Sequence, residues 1–554
     1  MGNLWNSIRI RPPKSNRFNL SHDVKQTMKF GVITPIMCVP TLPGDVFKLN
    51  TEILCRFAPM KAPIMHKINV YTHFFYIPSR LLWSHWKDFI TGGEDGTSAP
   101  SYPRLKINAN TNQLGGVFSS GSLADYLGFP VVNSGAGVYS GREIDIDALP
   151  FRAYQLVYNE YYRDQNVTDP VDIGKDMDGV IRDVRELMSL RNRSWKKDYF
   201  TSALPWAQRG EEVSLPLQGT APIKYPEELI ANIGVSELDS IIYPGQPDYS
   251  ISYPLLADEQ TNLVLGLEDR DVKVKIGTRG GVPYGYVRGS DLESLAGVAD
   301  LSKASASTIN ELRRAIKAQE FLEISARGGS RYIEQIYSYF GVRSSDARLQ
   351  RPEFLGGGKS AVMINDVLQT SQTTDSSPLA TPSGHAVGVQ NTHSFKYRCE
   401  EHGYILGLMT VMPDPSYQQG LPRVFQKFDR LDYYWPQFAH LGEQEILQSE
   451  LYVDMSTDGK GANANETFGY APRYSEYKYI PNSVHGDFRD TLNFWHMGRI
   501  FSGPPRLNDS FLTNMSAADR PFAVTDSGID KIWVNIHHNF KALRLMPKYG
   551  SPLF

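Results

Sequence analysis

Several groups of residues have types and spacings that could carry chemistry. LGGGKS (Leu355 to Ser360) resembles a phosphate-cradling loop, but that loop needs a glycine where Glu353 stands. His393, Cys399 and His402 could approach a metal ion, yet they span a strand and a turn and lack a fourth ligand. Glu400-Glu401 and the pair Glu443 and Glu445 supply carboxylates without the separation a glycosidase dyad requires. His537 and His538 are adjacent on an expected strand and so point to opposite faces. No GxSxG elbow, HExxH helix or GxGxxG turn is present. The expectation is therefore no catalytic residue, no cofactor and no metal site.

What remains is the chemistry of fixed charge. Arg9, Arg11, Lys14, Arg17, Lys25 and Lys29 stand against Asp23 alone before Val32. Lys541, Arg544 and Lys548 lie in an acid-free C-terminal tail. These nine are candidate DNA contacts, because a polyanion attracts clustered cations without reading sequence. Residues 221–305 are the opposite, with thirteen Asp and Glu against seven Lys and Arg. Between Arg327 and Arg351 lie five arginines, whose planar forks suit fixed contacts to carboxylates and carbonyls. Arg331, Arg348 and Arg351, with Gly328 and Gly329 beside them, are candidate assembly contacts, as are Trp83 and Trp86.

The elements that must position these groups read mainly as short strands with long loops. The chain of 554 residues holds 46 glycines, 35 prolines, 30 tyrosines and 26 phenylalanines, which favour strands and turns. His66 to Pro78 alternates as a strand, and with Tyr71, Phe75 and Ile77 on its second face both faces should be buried. Further strands are expected at Ala361 to Val367, Ala386 to Val389, Phe395 to Cys399, Tyr404 to Met412 and Lys531 to Phe540. Arg80 to Ile90 and Phe151 to Asp164 read as helices. Thr308 with Glu311 forms a capping box; Ile309, Leu312, Ile316 and Leu322 continue at helical spacing, and Gly328-Gly329 stops the helix. A second short helix is expected to end at Gly341. Val272 to Ile276 alternates and suggests a small sheet within the acidic segment. This texture fits a jelly roll with insertions.

Three cysteines (Cys38, Cys55 and Cys399) make no CxxC pair, so neither a disulfide framework nor a zinc cluster is expected. The N-terminal residues lack the apolar core of an export signal, and prolines break the run from Phe30 to Gly44. No membrane insertion is expected.

LPGDVFKL (Leu42 to Leu49), DYFTSALPWAQRGEEVSLPL (Asp198 to Leu217), ARGGSRYIE (Ala326 to Glu334), SSDARLQRPE (Ser344 to Glu353) and FRDTLNFWHMGRIF (Phe488 to Phe501) occur in this order along the chain. With these blocks the chain resembles the major capsid proteins of microviruses, small icosahedral bacteriophages with circular single-stranded DNA, in their gokushovirus-like branch. The resemblance implies an eight-stranded antiparallel jelly roll of the viral capsid type with long, partly helical insertions. It implies a sixty-copy shell located in the virion and assembled in the bacterial cytoplasm. The expected organisation is an extended basic arm (1–30), a first part of the jelly roll (31–220), an insertion forming a surface protrusion (221–305), the rest of the roll (306–540, with a helical insertion at 307–352) and a basic tail (541–554). Sixty arms of net +5 supply about 300 charges, few beside the phosphates of a genome. A small basic packaging protein is therefore expected as a partner, with a minor pilot protein and a host surface receptor. Tyr225, Tyr243, Tyr249, Tyr253, Tyr284 and Tyr286 are the candidate host contacts.

A carbohydrate-binding β protein would share the aromatic, glycine-rich composition but would not explain the basic arm. A sequence-specific DNA-binding protein would need a basic recognition helix, and none is visible.

Overall fold

Alternation of apolar and polar residues builds two antiparallel sheets that enclose a shared core. The structure is a computed structural model that describes residues 14–93, 97–107, 117–131, 144–181, 185–210, 223–224, 262–267, 270–275, 278–279, 282–283, 298–299, 309–328, 350–368, 382–453, 466–526 and 528–549. Twelve strands and two helices matter here. They are β1 (Asn16–Asn19), β2 (His22–Met28), β3 (Thr34–Thr41), β4 (Val46–Phe57), β5 (Ile68–Pro78), α1 (Leu149–Val157), α2 (Ile309–Gly328), β6 (Glu353–Ala361), β7 (Met363–Leu368), β8 (Pro382–Arg398), β9 (Gly403–Pro413), β10 (Glu443–Leu447), β11 (Thr467–Pro472) and β12 (Ile532–Arg544).

The first sheet has the order β1-β12-β4-β8-β7, with β2 also on β12. Asn16 opposes Arg544 and His22 opposes His538 in one continuous register, so β1 and β2 form a single edge interrupted at Leu20-Ser21. The second sheet has the order β6-β5-β9-β3. Between the sheets lie Phe47, Leu49, Ile53 and Phe57 of β4, Val70 and Phe74 of β5, Ile405 and Met409 of β9, and Ile536 and Phe540 of β12. Burial of such side chains contributes ~1.5–3 kcal/mol each. The far face of the second sheet is covered as well: Phe75, Ile77, Leu406 and Leu408 pack against Leu149, Phe151, Tyr154 and Val157. Buried Arg152 fastens α1, donating to the carbonyls of Leu82 and Met177 at 3.2 and 3.0 Å.

β5 is buried on both faces, as Phe75 and Ile77 on its second face lead one to expect, while Tyr71 is partly exposed. The split strand expected at Ala386–Val389 and Phe395–Cys399 is one long strand, β8, with a register shift between Gln390 and His393. The helix expected over Arg80–Ile90 is two short ones, Ser79–Leu82 and Trp86–Thr91, broken where Trp83 turns to extended backbone. The other expected helix runs as α1 and then widens into a π turn at Tyr158–Tyr162. LGGGKS lies in edge strand β6, where a Cβ at Gly357 would stand 2.3 Å from the Thr72 carbonyl oxygen. Its glycines let β6 close on β5. The proline-broken run at Pro35 and Pro40 is β3, an edge strand, where a missing amide is tolerated.

The basic arm corresponds only partly to the expectation of a free extended segment. Asn16 to Met28 is sheet, because β12 offers it a full hydrogen-bonding edge.

Contacts divide the chain into two units, residues 1–210 with 322–554, and residues 211–321. The second is wider than the insertion expected at 221–305. It contains a hairpin of Asn262–Leu267 with Arg270–Lys275, the small sheet that the alternation around Val272 predicts. α2 spans the expected helix and ends at Gly328. The second short helix lies outside the described residues. No helix among the described residues is long and apolar enough to cross a membrane.

Candidate interaction surfaces

The segment from Leu421 to Leu441 inverts the usual rule of burial. It is built from three single-turn helices, Arg423–Phe425, Arg430–Asp432 and Pro436–Phe438. Phe428 is 90% exposed and Phe425 69%, and Leu431, Tyr433, Tyr434, Trp435 and Leu441 are also exposed. Ile480, on the neighbouring loop, is 88% exposed. Exposed single apolar side chains are ordinary, whereas so many in one segment mark an interaction surface.

Two cations of this segment, Lys427 and Arg423, point inward instead. Lys427 Nζ meets Glu476 Oε1 at 2.8 Å with both side chains nearly enclosed, and it lies 3.8 Å from the centre of the Tyr477 ring. Gln444 donates to the other Glu476 oxygen at 2.8 Å. Burial opposes ionisation of Glu476, but the bonds from Lys427 and Gln444 outweigh it and hold its pKa below the ordinary value. Lys427 is raised for the same reason: burial lowers it and Glu476 more than compensates. Asp432 accepts the Asp429 and Phe428 amides at 2.8 and 3.0 Å, which lowers its pKa and closes a capping turn. Arg423 reaches Glu450 Oε1 at 3.3 Å, and Tyr199 donates to Glu450 Oε2 at 2.9 Å. Trp435 Nε1 donates to the Arg430 carbonyl at 2.8 Å, which fixes the indole. Tyr474, against which Tyr434 packs edge-on at 4.9 Å, has φ 62°, the one positive value outside glycine among the described residues. A left-handed conformation at a tyrosine costs energy and persists only where its surroundings hold it. The result is a rigid scaffold with its aromatic side turned out.

A second surface is the open face of the first sheet. Odd-numbered residues of β12 face solvent, among them Trp533, Asn535, His537 and Lys541. Lys541 opposes Lys48, and Lys48 opposes Lys396, on three adjacent strands. Of the candidate DNA contacts, this face gathers Arg17, Lys25 and Lys541, and it adds Lys48, Arg56, Lys396 and Arg398, which lie in strands the sequence reading passed over or read only for their apolar residues.

The other candidates are dispersed. Arg544 is a correction: it turns to the rim, ion-paired with buried Asp45 at 3.4 Å and donating to the Pro40 carbonyl at 3.1 Å, over the Phe47 ring. Lys14, Lys29 and Lys548 are exposed. Arg9 and Arg11 lie outside the described residues. Trp83 is a second correction, wholly buried with Nε1 donating to Asp178 at 2.6 Å, so it packs within the chain. Trp86 is half-buried between Phe89 and His402. Gly328 ends α2, and Arg351 is exposed ahead of β6. Arg327 binds both carboxylate oxygens of Glu443, tying the end of α2 to β10. Gly329, Arg331 and Arg348 lie outside the described residues, as do the six tyrosines named as host contacts. Sequence reasoning missed Phe425, Phe428 and Trp435. The run of aromatics in VFQKFDRLDYYW was the available signal, but no periodicity says which side of it faces out.

Comparison with known proteins adds to this geometry. A family model described as Capsid protein (F protein) matches residues 10–554. The capsid protein VP1 of Chlamydia phage 1 is 34% identical, with 100% of this chain and 98% of that protein covered. That of Bdellovibrio phage phiMH2K is 34% identical, covering 97% and 95%. That of Spiroplasma virus 4 is 28% identical, covering 98% and 95%.

Proposed function

The chain belongs to the capsid protein (F protein) family, and from that premise we propose that it assembles with copies of itself into the icosahedral shell of a small bacteriophage, around circular single-stranded DNA. It is a structural protein of the virion and not an enzyme. The observation that carries self-assembly is the outward aromatic surface of residues 421–441 on its buried ionic scaffold. Buried aromatic anchors dominate the energy of protein interfaces, and a closed symmetric shell multiplies each modest contact.

The eight-stranded jelly roll is part of this reading. Taking β2, β3, β4, β5, β6, β8, β9 and β12 in chain order, the first pairs with the eighth, the second with the seventh, the third with the sixth and the fourth with the fifth. That nested pairing is what results when an antiparallel ribbon folds over itself into two packed sheets. DNA contact rests on the basic N-terminal segment and on the open sheet face. A small basic packaging protein and a pilot protein remain expected partners.

Purified protein examined by electron microscopy and sedimentation should yield small isometric shells, and a chain that stays monomeric or dimeric under all conditions would contradict the reading. The acidic insertion is proposed as the host-facing part, since its charge of -6 disfavours a place beside DNA. Replacing residues 225–300 with a short Gly/Ser linker should leave particles that assemble but adsorb poorly. Normal adsorption would remove the receptor role.

A further inference from the structure

We propose that the open face of the first sheet is a binding platform for single-stranded DNA, with Trp533 stacking a base and Lys48, Lys396 and Lys541 holding phosphates. This rests on the reading that the shell encloses such DNA, and it assigns the contact to particular residues.

Three observations carry it. The first is the lysine row. Lys541, Lys48 and Lys396 stand directly opposite one another across β12, β4 and β8, all exposed, and none has an ion pair among the described residues. Like charges at opposed positions, ~5 Å apart, disfavour the sheet. A bound polyanion reverses the sign of that cost. Arg17, on β1, extends the row, since it opposes Leu543 and sits diagonal to Lys541.

The second is the balance of the whole face. On β1, β2, β12, β4 and β8 the exposed described charges are Arg17, Lys25, Lys48, Arg56, Lys396, Arg398 and Lys541 against Asp23 and Glu52. Asp23 is already engaged by His537 Nδ1 at 2.6 Å. A basic partner peptide would be repelled by such a surface.

The third is Trp533. It is 44% exposed at one end of the sheet, flanked on both sides by strands, with Thr27 of β2 and Arg56 of β4 opposite it. With Lys25, Leu54 and Asn535 these residues line a shallow depression. No ring or cation among the described residues lies over its indole. An aromatic ring flanked by cations on an open sheet is the arrangement by which proteins hold single strands without sequence preference, base on ring and phosphate on cation. Trp533 and the lysine row are eight residues apart on β12, ~27 Å, so one strand of several nucleotides spans both.

The test uses the full chain, a fluorescent oligothymidylate and a salt series. Trp533→Ala should weaken binding about tenfold, and Trp533→Phe should restore most of it, which separates stacking from misfolding. Lys48→Gln with Lys396→Gln and Lys541→Gln should reduce the slope of log K against log salt by about 2, at ~0.7 per phosphate. Unchanged affinity in Trp533→Ala, an unchanged slope in the triple variant, or preference for a lysine-rich peptide over the oligonucleotide would overturn the proposal. The DNA content of wild-type particles is measured beside it. Particles that hold DNA while both variants bind normally would refute this platform alone, whereas particles devoid of DNA would refute the reading on which it rests.

Discussion

The segment from Leu421 to Leu441 and the open face of the first sheet expose opposite chemistries on opposite foundations. In the first, Lys427, Glu476, Glu450 and Arg423 lie beneath, and Phe425, Phe428 and Trp435 lie outside. In the second, Phe47, Ile53, Ile536 and Phe540 lie beneath, and lysines and arginines lie outside. A sheet with an apolar core needs nothing from a partner to be stable, so its open face is free to carry repelling charge. A loop of single-turn helices has no such core. Its stability comes from buried ion pairs and caps, and its apolar side chains are left for another molecule to cover. The first surface therefore suits a partner that excludes water, another copy of the chain, and the second suits a hydrated polyanion.

The sharpest break in this comparison is Phe425→Glu with Phe428→Glu. Two charges at anchor positions, each worth ~2 kcal/mol or more at an interface, should abolish shells while the subunit stays folded and soluble. Sedimentation and circular dichroism together read both halves of that outcome.

Next in size is the scaffold itself. Lys427→Ala leaves the Glu476 carboxylate buried without its partner, at a cost of ~3–5 kcal/mol, and thermal unfolding should begin at lower temperature. The same loss from an exposed pair such as Lys317 with Glu320 should be below ~1 kcal/mol.

The sheet has its own pH signature. His538 is buried, with Nδ1 3.0 Å from Thr51 Oγ1 and Nε2 3.2 Å from the Ile36 carbonyl, and burial pushes its pKa down to about 4. A depressed histidine contributes stability that is complete above the unfolded value of ~6.5 and is lost as pH falls towards 4, in total about 3 kcal/mol. Denaturant midpoints should therefore decline between pH 6.5 and 4, and His538→Gln should flatten that decline. Asp432 and Glu476, with lowered pKa, lose their contribution only as pH falls below their ordinary values, whereas Glu450, raised by burial, regains stability as pH falls towards its ordinary value of 4.5 and so opposes the His538 decline within the same window. A His538→Gln profile that declines from pH 6.5 to 4 as steeply as wild type would contradict the placement of His538.

The smallest effect belongs to the edge strand. Gly357→Ala should cost ~1–3 kcal/mol by pressing a methyl group against the Thr72 carbonyl, without altering DNA binding or the 421–441 surface. A neutral substitution would mean that β6 lies further from β5 than described.

Much of this architecture was legible beforehand, and the failures have physical reasons. β9 announces itself by its nearly continuous apolar run, β5 by alternation with apolar residues on its second face as well, and α2 by its spacing and glycine stop. Edge strands do not. β3 carries Pro35 and Pro40, β6 carries three glycines, and β2 is mostly polar because only one of its faces is covered. The basic residues of the N-terminal segment were visible as a cluster, but their partners Lys48, Arg56 and Lys396 come from distant strands that only register brings together. Trp83 and Arg544 misled for a related reason, since residue type does not say whether a tryptophan packs inward or an arginine already has its carboxylate.

Oxidative footprinting of side chains in dispersed subunits, empty shells and DNA-filled shells tests the central claim most directly. Phe425, Phe428 and Trp435 should become protected in both kinds of shell, and Trp533 only in the filled one. Equal labelling of Phe428 in subunit and shell would contradict an assembly role for the aromatic segment.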